Sequence, residues 1–554
     1  MGLVKYRGFF LALLCILGVN LFLYPTSFFK AEMWAEAGTN YFYHAHYSGF
    51  IQNLIQDDYG YLPWLPRLIS NMVEQLHVPL RYLPQVYQGI SIIFVSLCCA
   101  LPALPFFRFV VASDFLRFLL AFSLALNFDY DLHMYINMTY YAAVPLTLFL
   151  FFPDQIAEAL QRKRRVWSVA LGLFGLLIMA SKALFIVMAP LFAILWLRAV
   201  WQKNRVQITL TTLTLLGAVI QVLGIAYHAM HKVLPTEHLP LRTLLKSTLF
   251  NTVGLFYYAA IGNLLRTDLA VPAALFLVST LLLLVYSAFY TYKKQDGRRL
   301  WWLICALVTA VLSSAMVTLN SFSISMPHRL ALDFDYMSKR AWFIAVVPVY
   351  FFVAWQFLIW LQRKTENKTQ FKKLTLQFLA VAVFVASNGP FHESQRRDVG
   401  WPEVGYSQWA TFAPLMAESP DHYCVPLNPF LWTLNHNCEV LVAPDLAAVR
   451  FNDNQVIVPN YVEILNNLST DSIQTLGFLY KNISTKTLPS VEIYMRSNTG
   501  NLIKIVSRSV RVKPNALYFT FNPPLTHVVG FRLCGIDKIS AHEGHLQYVV
   551  YGWK

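Results

Sequence analysis

Acidic residues that follow the first hydrophobic segment are the first candidates for chemistry in this chain. Glu32 and Glu36 are four residues apart, so a helix would carry both carboxylates on one face. Asp57 and Asp58 come later in the same polar stretch, residues 26–83. A carboxylate at this position could take a proton from a hydroxyl group. We therefore predict Glu36 as a general base, with Glu32 as the second catalytic carboxylate.

Aromatic side chains surround these carboxylates in the sequence. Aromatic faces are surfaces on which sugar rings stack, so the combination indicates carbohydrate chemistry. The polar segment around Asp129, Asp131 and His133 adds further candidates, although a solvated loop is the plainer interpretation there. The residues predicted to bind sugar or acceptor are Trp34, Tyr41, Asp58, Tyr61, Trp64, Asp131, Asn137 and Tyr140.

Cations next to apolar segments are the second requirement of such chemistry. A sugar that leaves a phosphate carrier needs positive charge where the phosphate departs. Lys182 stands between two short apolar segments, where an unpaired charge is costly. It is predicted to contact the phosphate, and the alternative is that its side chain extends to the membrane surface. Arg67 has the alternative of pairing with Asp57 or Asp58 to fold its loop. The predicted donor-phosphate ligands are Arg340, Lys339, Lys182, Arg67 and Arg329.

No metal site is predicted from the sequence. The neighbouring carboxylates of Asp57 and Asp58 diverge on a helix and point opposite ways on a strand, so a shared ion would need other ligands. A divalent ion completed by the segment around Asp131 stays open as an alternative. The His and Cys residues lack the spacing of a zinc site.

Composition places the chain among integral membrane proteins. Of its 554 residues, 56% are hydrophobic and only 13% are charged, which does not suit a solvated surface. Segments apolar enough to cross a bilayer predict about eleven transmembrane helices. They lie at residues 8–25, 84–105, 112–127, 137–153, 166–181, 183–200, 207–229, 269–292, 300–319, 341–361 and 374–389.

Basic clusters fix the predicted orientation. They all fall on one side of the proposed spans, which the positive-inside rule assigns to the cytoplasm, together with the N-terminus. The net charge of +15 is thus explained by topology, and no nucleic-acid partner is expected. Residues 26–83 and 230–267 become external loops. Within the second loop, the apolar segment 248–265 predicts a helix lying in the membrane interface, or a re-entrant segment.

The predicted domains are a helical membrane domain, residues 1–389, and an extracytoplasmic domain, residues 390–554. Short alternating runs in the second domain predict a β-rich, sandwich-like fold. Cys424 and Cys438 are the predicted disulfide pair of an oxidising compartment, and reduced core cysteines are the alternative. This domain could cover an active site, hold an acceptor glycan or serve as a structural cap.

Short segments carry a resemblance to a known family. Glu36-Ala37-Gly38 before an aromatic run, and Gly60-Tyr61 before Leu65-Pro66-Arg67-Leu68, resemble segments of bacterial enzymes of the GT-C glycosyltransferase superfamily. Asn137 to Tyr141 and Lys339 to Trp342 resemble two further segments. The resemblance covers roughly residues 25–390. That family has Glu-Asp where this chain has Glu36-Ala37, so only Glu36 corresponds.

The resemblance implies a transferase that uses a polyprenyl-phosphate-linked sugar as donor. The acceptor would be a cell-envelope glycan, such as the O-antigen of lipopolysaccharide, or a lipid, and the enzyme would lie in the inner membrane with its active site facing the periplasm. Glu36 is the one carboxylate that matches the family's acidic position, so a single inverting displacement is expected, because a covalent sugar intermediate would need a second matched carboxylate. The alternative function is a transporter or flippase for lipid-linked glycans.

Overall fold

The structure of the chain is a computed structural model. It describes residues 6–23, 28–29, 31, 33–58, 60–126, 134–161, 165–231, 241–261, 297–323, 340–366, 369, 371–372, 375–379, 409, 413 and 416, together with strands between residues 423 and 553.

Helices dominate the described residues up to residue 366. They are α1 Arg7–Leu23, α2 Tyr43–Tyr47, α3 Phe50–Ile55, α4 Trp64–Gln75, α5 Leu83–Ala100, α6 Asp114–Leu126, α7 Ala143–Phe151, α8 Pro153–Gln161, α9 Arg165–Met179, α10 Ala189–Trp201, α11 Arg205–His231, α12 Leu241–Ile261, α13 Gly297–Ser323 and α14 Arg340–Glu366. A π-helical turn covers Ala37–Phe42, and short 3₁₀ turns cover Leu80–Tyr82, Leu101–Ala103, Pro105–Phe109, Met138–Ala142 and Ala183–Met188.

Strands make up the described C-terminal region. They are β1 Tyr423–Leu427, β2 Trp432–His436, β3 Glu439–Val442, β4 Val449–Arg450, β5 Val456–Ile457, β6 Tyr461–Leu465, β7 Ser472–Leu479, β8 Asn482–Ser484, β9 Ser490–Arg496, β10 Leu502–Arg508, β11 Val510–Val512, β12 Ala516–Thr526, β13 Val528–Cys534, β14 Lys538–Ser540 and β15 His545–Trp553.

Two compact units divide the chain differently from the predicted boundary at residue 389. The helical unit contains Met1–Leu23, Phe50–Ile69 and Gly89–Asp398. The second unit contains Tyr24–Gly49, Ser70–Gln88 and Val399–Lys554. Much of the predicted external loop 26–83 therefore belongs with the C-terminal region. A division by hydropathy could not find this, because it follows chain order and not packing.

Five helical segments in the described residues are long and apolar enough to cross a membrane. They are Leu80–Phe109, Ala183–Trp201, Arg205–His228, Gly297–Leu319 and Phe343–Arg363. Helices Arg7–Phe22 and Val166–Met179 are apolar but shorter. The predicted span 269–292 lies outside the described residues, and of 374–389 only a few residues are described. The number eleven stays a prediction.

The predicted span 137–153 is broken. It begins with the 3₁₀ turn Met138–Ala142, continues as α7 and ends at Phe152, whose backbone leaves the helical region with φ −129° and ψ 45°. The reason is Pro153, which disfavours helical geometry in the residue before it and starts α8. Counted together, α7 and α8 would form a sixth span with an 85° bend.

Large aromatic side chains fill the core of the helical unit where α7, α13 and α14 meet. The rings of Phe152 and Trp355 have centroids 4.6 Å apart, and the Trp302 ring stacks on Phe151 at 5.6 Å. The indole nitrogen of Trp302 also donates to the carbonyl oxygen of Phe151 at 2.9 Å. Aromatic packing of this kind buries a large apolar area and fixes helix positions.

Helix α12 contains most of the apolar segment 248–265 that was predicted to lie in the membrane interface. It packs against α13, where Asn251 Nδ2 donates to Thr318 Oγ1 at 3.5 Å and Thr252 Oγ1 donates to Ser314 Oγ at 3.3 Å. Leu255 is fully buried. The helix is thus part of the bundle, and its depth in the membrane stays a prediction.

The strands of the second unit form antiparallel sheets. One contains β10-β9-β13-β6 and another contains β11-β12-β7-β15-β3, with β4 paired to β15. The alternating runs 491–494, 516–521 and 546–551 lie within β9, β12 and β15. In β12, Leu517, Phe519 and Phe521 are buried, as the period of a strand requires when one face is covered. The arrangement of these sheets as a sandwich stays a prediction.

Candidate functional site

A tight hairpin turn in the helical unit carries several predicted site residues. The Asp58 nitrogen donates to the Tyr61 oxygen at 2.7 Å, and the Tyr61 nitrogen donates back to the Asp58 oxygen at 3.2 Å. Gly60 has φ +90°, a value that side chains disfavour. A Cβ atom at Gly60 would also lie 2.8 Å from Cδ2 of His228. Glycine is therefore required at this turn.

The Asp57 carboxylate fixes the same turn from its outer side. Its Oδ2 accepts from the Gly60 nitrogen at 3.3 Å and lies 2.8 Å from Nδ1 of His228, near the end of α11. Asp57 thus ties the turn to α11. The sequence offered Arg67 as a partner of this carboxylate and did not indicate His228.

Polar groups of α11 and of the α9 end hold the chain after the turn. Gln221 is fully buried, and its side chain accepts from the Leu62 nitrogen at 2.8 Å and donates to the Leu62 oxygen at 3.2 Å. The Leu65 nitrogen donates to Ser181 Oγ at 2.9 Å. These contacts position the loop through its backbone, so it does not depend on one side chain.

Arg67 lies under this loop with only 1% of its side chain exposed. Its Nη1 donates to Asn53 Oδ1 at 2.6 Å, and its Nη2 lies 3.5 Å from the Asp57 carbonyl oxygen. The guanidinium thereby joins α3 to the loop through an amide oxygen and a backbone oxygen. Its predicted contact with a donor phosphate is untested.

A buried cation stands at the centre of the candidate site. Lys182 is 7% exposed and precedes the 3₁₀ turn Ala183–Met188 in an extended conformation. Its Nζ donates to the Tyr61 hydroxyl at 2.9 Å and lies 5.0 Å and 5.3 Å from the ring centroids of Tyr61 and Tyr140. Two aromatic faces stabilise a desolvated ammonium group in this geometry. We call these three residues and Asp58 the Lys182 cluster.

A directional chain of hydrogen bonds completes the Lys182 cluster. The Tyr61 hydroxyl accepts from Lys182 and donates to Asp58 Oδ2 at 3.4 Å. Asp58 is itself 4% exposed. Charge at one end of such a chain polarises the other members, so the ammonium and carboxylate groups are linked through the phenol.

Two more predicted ligands lie in the same unit. Asn137 is 1% exposed and accepts from the Tyr140 nitrogen through its backbone oxygen at 2.9 Å. The neighbouring Tyr135 hydroxyl donates to the Pro66 oxygen at 2.5 Å, which connects this turn to the loop. Trp64 is half-buried, and its enclosed indole nitrogen has no hydrogen-bond partner in the described part of the chain. A bound polar ligand could satisfy that donor.

Glu36 lies in the second unit, immediately before the π-helical turn Ala37–Phe42, and is half-buried. The Gly38 nitrogen donates to the oxygen of the half-buried Trp34 at 2.9 Å, and Tyr41 is 1% exposed. Glu32 lies outside the described residues, so a helix face shared by Glu32 and Glu36 stays a prediction; directly after Glu36 the backbone widens into the π-helix. Such turns occur frequently at functional sites.

Several predicted site residues cannot be placed. Glu32, Asp131, Arg329 and Lys339 lie outside the described residues, and Arg340 begins α14 with a side chain that is not described. Cys424 stands in β1 opposite Asn435, but Cys438 lies outside the described residues, so the disulfide is untested. Within the described ranges, no group of three His, Cys, Asp or Glu side chains is arranged to hold a metal ion.

Sequence reasoning missed the residues that hold the loop, namely Asn53, Ser181, Gln221 and His228. Their signal was present, since a polar side chain within an apolar segment is costly unless it has a partner. Gln221 is such a residue. What the sequence could not give was the partner, which in this case is a backbone group 159 positions away.

The apolar helices indicate a helical membrane protein, and the Lys182 cluster gives it a buried cationic site. No family model matches the sequence, and none of the curated proteins is similar to it. Among solved structures, the chain is similar to arabinosyltransferase EmbB from Mycobacterium smegmatis, with 12% sequence identity and a TM-score of 0.27. The match covers 97% of this chain and 64% of that one. This degree of overlap does not define a common fold.

Proposed function

We propose that this protein is a membrane glycosyltransferase. It transfers a sugar from a polyprenyl-phosphate-linked donor to a glycan or lipid of the cell envelope, on the extracytoplasmic face and with inversion at the sugar. The proposal includes about eleven transmembrane helices, estimated from the apolar lengths, and a β-rich domain outside the inner membrane. The observation that carries it is the Lys182 cluster.

The Lys182 cluster has the chemistry that a phosphate-linked sugar requires. A buried ammonium group stabilises the charge that develops on the phosphate as the glycosidic bond breaks. The faces of Tyr61 and Tyr140 approach it at 5.0 Å and 5.3 Å and offer aromatic surface for a sugar ring. Asp58 provides a carboxylate acceptor for sugar hydroxyls within the same hydrogen-bonded chain.

Glu36 is the proposed general base. It takes the proton of the acceptor hydroxyl as that oxygen attacks the anomeric carbon, and the lipid phosphate departs with the electron pair of the broken bond. Glu36→Gln removes the carboxylate charge, so the variant should still bind the substrates but lose this proton transfer. General base catalysis commonly contributes about 10²–10⁴-fold to a rate.

Mass spectrometry of envelope glycans and lipid-linked sugars tests the proposal. We would compare cells that carry the wild-type protein, Glu36→Gln or Lys182→Met as their only copy. The expected result is one glycan that lacks a single sugar while its lipid-linked donor accumulates. Full transfer by Glu36→Gln contradicts the proposal. Glycans of unchanged composition with a lipid-linked intermediate stranded on the cytoplasmic side would instead indicate a transporter.

A further inference from the structure

The π-helical turn next to Glu36 packs directly on a strand of the C-terminal region, within the second unit. A Cβ atom at Gly38 would lie 2.8 Å from Cδ1 of Leu427 in β1 and 3.1 Å from Cγ of Met33. Leu427 is 1% exposed, so its methyl groups are enclosed by the protein. The absence of a side chain at Gly38 is therefore what lets the turn approach the strand.

A second residue of the C-terminal region holds the other end of the turn. Trp409 is 1% exposed, and its ring meets the Phe42 ring edge-on with centroids 6.1 Å apart. Its indole nitrogen also donates to the Leu80 oxygen at 2.6 Å. Trp409 thus contacts Phe42 and Leu80, which are both distant from it in sequence. Phe42 lies six residues after Glu36.

A π-helical turn depends on such support. Its hydrogen-bond geometry is less favourable than that of the α-helix, so a wide turn persists where tertiary packing holds it. Relaxation to an α-helix would rotate neighbouring residues about the axis, because each α-helical residue advances by about 100°. Glu36 immediately precedes the turn, so its carboxylate direction depends on whether the wide turn is kept.

We propose that Leu427 and Trp409 are positioning residues for Glu36, so that the C-terminal region takes part in catalysis by fixing the wide turn beside the base. This inference rests on the proposed function. It assigns to residues far along the chain a task that an acceptor-binding module or a structural cap would not have. Neither residue needs to touch the substrate.

A double-mutant cycle at the Gly38–Leu427 contact tests the inference. Gly38→Ala places a methyl group against Leu427, Leu427→Ala removes the methyl groups that it meets, and the double variant relieves the clash. Gly49→Ala is the matched control, because a Cβ atom there would meet nothing within 4 Å. Each substitution is made in the full chain. Residues that contact each other give coupled effects in such a cycle.

Initial rates would be measured in membranes that carry each variant. The donor probe is the lipid extract of Glu36→Gln cells, in which the lipid-linked sugar accumulates, and the acceptor is glycan from the same cells. We expect Gly38→Ala to lower the saturating rate about tenfold, equivalent to about 1.4 kcal/mol in the barrier, and to leave the half-saturating amount of donor unchanged. Leu427→Ala alone should also lower the saturating rate, because the turn loses the side chain that it packs on. The double variant should recover most of the rate, because the methyl group added at Gly38 fills part of the space that Leu427 leaves.

The outcomes separate this inference from the proposed function. If Glu36→Gln is inactive and Gly38→Ala is as fast as Gly49→Ala, the positioning role is refuted and the glycosyltransferase proposal stands. If Glu36→Gln is fully active, both fall. A double variant no faster than the slower single variant also refutes the positioning role. Should Gly38→Ala fail to accumulate as folded protein, Trp409→Phe replaces it. This variant loses the hydrogen bond to Leu80, and we expect a lower saturating rate with an unchanged half-saturating amount of donor.

Discussion

The ammonium nitrogen of Lys182 lies 2.9 Å from the hydroxyl oxygen of Tyr61, although the two residues are 121 positions apart. Tyr61 sits on the glycine-dependent turn, and Lys182 stands between α9 and the following 3₁₀ turn. The contact therefore joins the loop that carries aromatic and acidic groups to the part of the bundle that carries the cation. It is the relationship on which the proposed donor site depends.

Replacement of Lys182 by Met keeps most of the length of the side chain and removes its charge. If the ammonium group binds the donor phosphate, the apparent donor affinity should fall about 10- to 100-fold, which corresponds to the roughly 1.5–3 kcal/mol of a charged hydrogen bond. Half-saturation with extracted lipid-linked donor measures this effect. Lys246→Met, at an exposed position in α12, is the control. An unchanged half-saturation would remove Lys182 from the donor site.

Gly60→Ala should destabilise the hairpin turn. The alanine would have to adopt φ +90° with its methyl group 2.8 Å from the His228 ring, and strained backbone of this kind costs about 1–3 kcal/mol. Thermal unfolding of the detergent-solubilised protein should show a lower midpoint. Gly18→Ala, which meets no atom within 4 Å inside α1, should not lower the midpoint, because alanine favours a helix interior. Equal midpoints for the two variants would contradict the turn geometry.

Gln221→Leu should loosen the loop that follows the turn. The substitution removes both hydrogen bonds to Leu62 and leaves partly buried backbone groups unsatisfied, at a cost of at most about 1–3 kcal/mol each. Amide hydrogen exchange should become faster at Leu62 and its neighbours. The same substitution at the exposed Gln52 supplies the comparison. Unchanged exchange at Leu62 would show that Ser181 and the rest of the loop suffice.

The His46–Glu74 pair should make the stability of the second unit depend on pH. His46 Nδ1 donates a hydrogen bond to Glu74 Oε1 at 2.8 Å, which raises the pKa of His46 above its ordinary value of 6.5, while burial acts in the opposite direction. The pair therefore stabilises the folded state fully below pH 6.5, and this contribution is lost as pH rises through the raised pKa of His46. Side-chain exposures of 38% and 31% keep the effect small.

Thermal unfolding at several pH values measures this dependence. The wild-type midpoint should exceed that of Glu74→Gln at acidic pH, and the difference should shrink as His46 loses its proton. In the His46→Gln background, the further substitution Glu74→Gln should change the midpoint by the same amount at every pH in this range, because no histidine is left there to titrate. A difference that grows towards alkaline pH would have the wrong sign for a raised histidine pKa.

Most of the helical elements could be predicted because membrane helices consist of long runs of apolar residues, which are visible in the sequence. Predicted and observed bounds agree within a few residues for α5, α10, α11, α13 and α14. The failure at residues 137–153 has a local cause, since Pro153 ends a run that hydropathy alone extends without interruption. Residues 24–49 and 70–88 belong to the second unit for a tertiary reason, because contacts of Gly38 and Trp409 join them to the C-terminal region.

The sequence by itself determined the membrane class, most helix positions and the residue types from which a sugar-transfer site could be built, because hydropathy and side-chain chemistry are properties of the chain alone. Only the tertiary structure decided that Lys182 meets Tyr61 and Tyr140, that Arg67 lies under the loop and that Leu427 lies against Gly38. These contacts join residues from 14 to 121 positions apart and, for the last pair, hundreds. Packing selects such partners through shape and buried hydrogen bonds, and neither is recorded in the spacing of the residues.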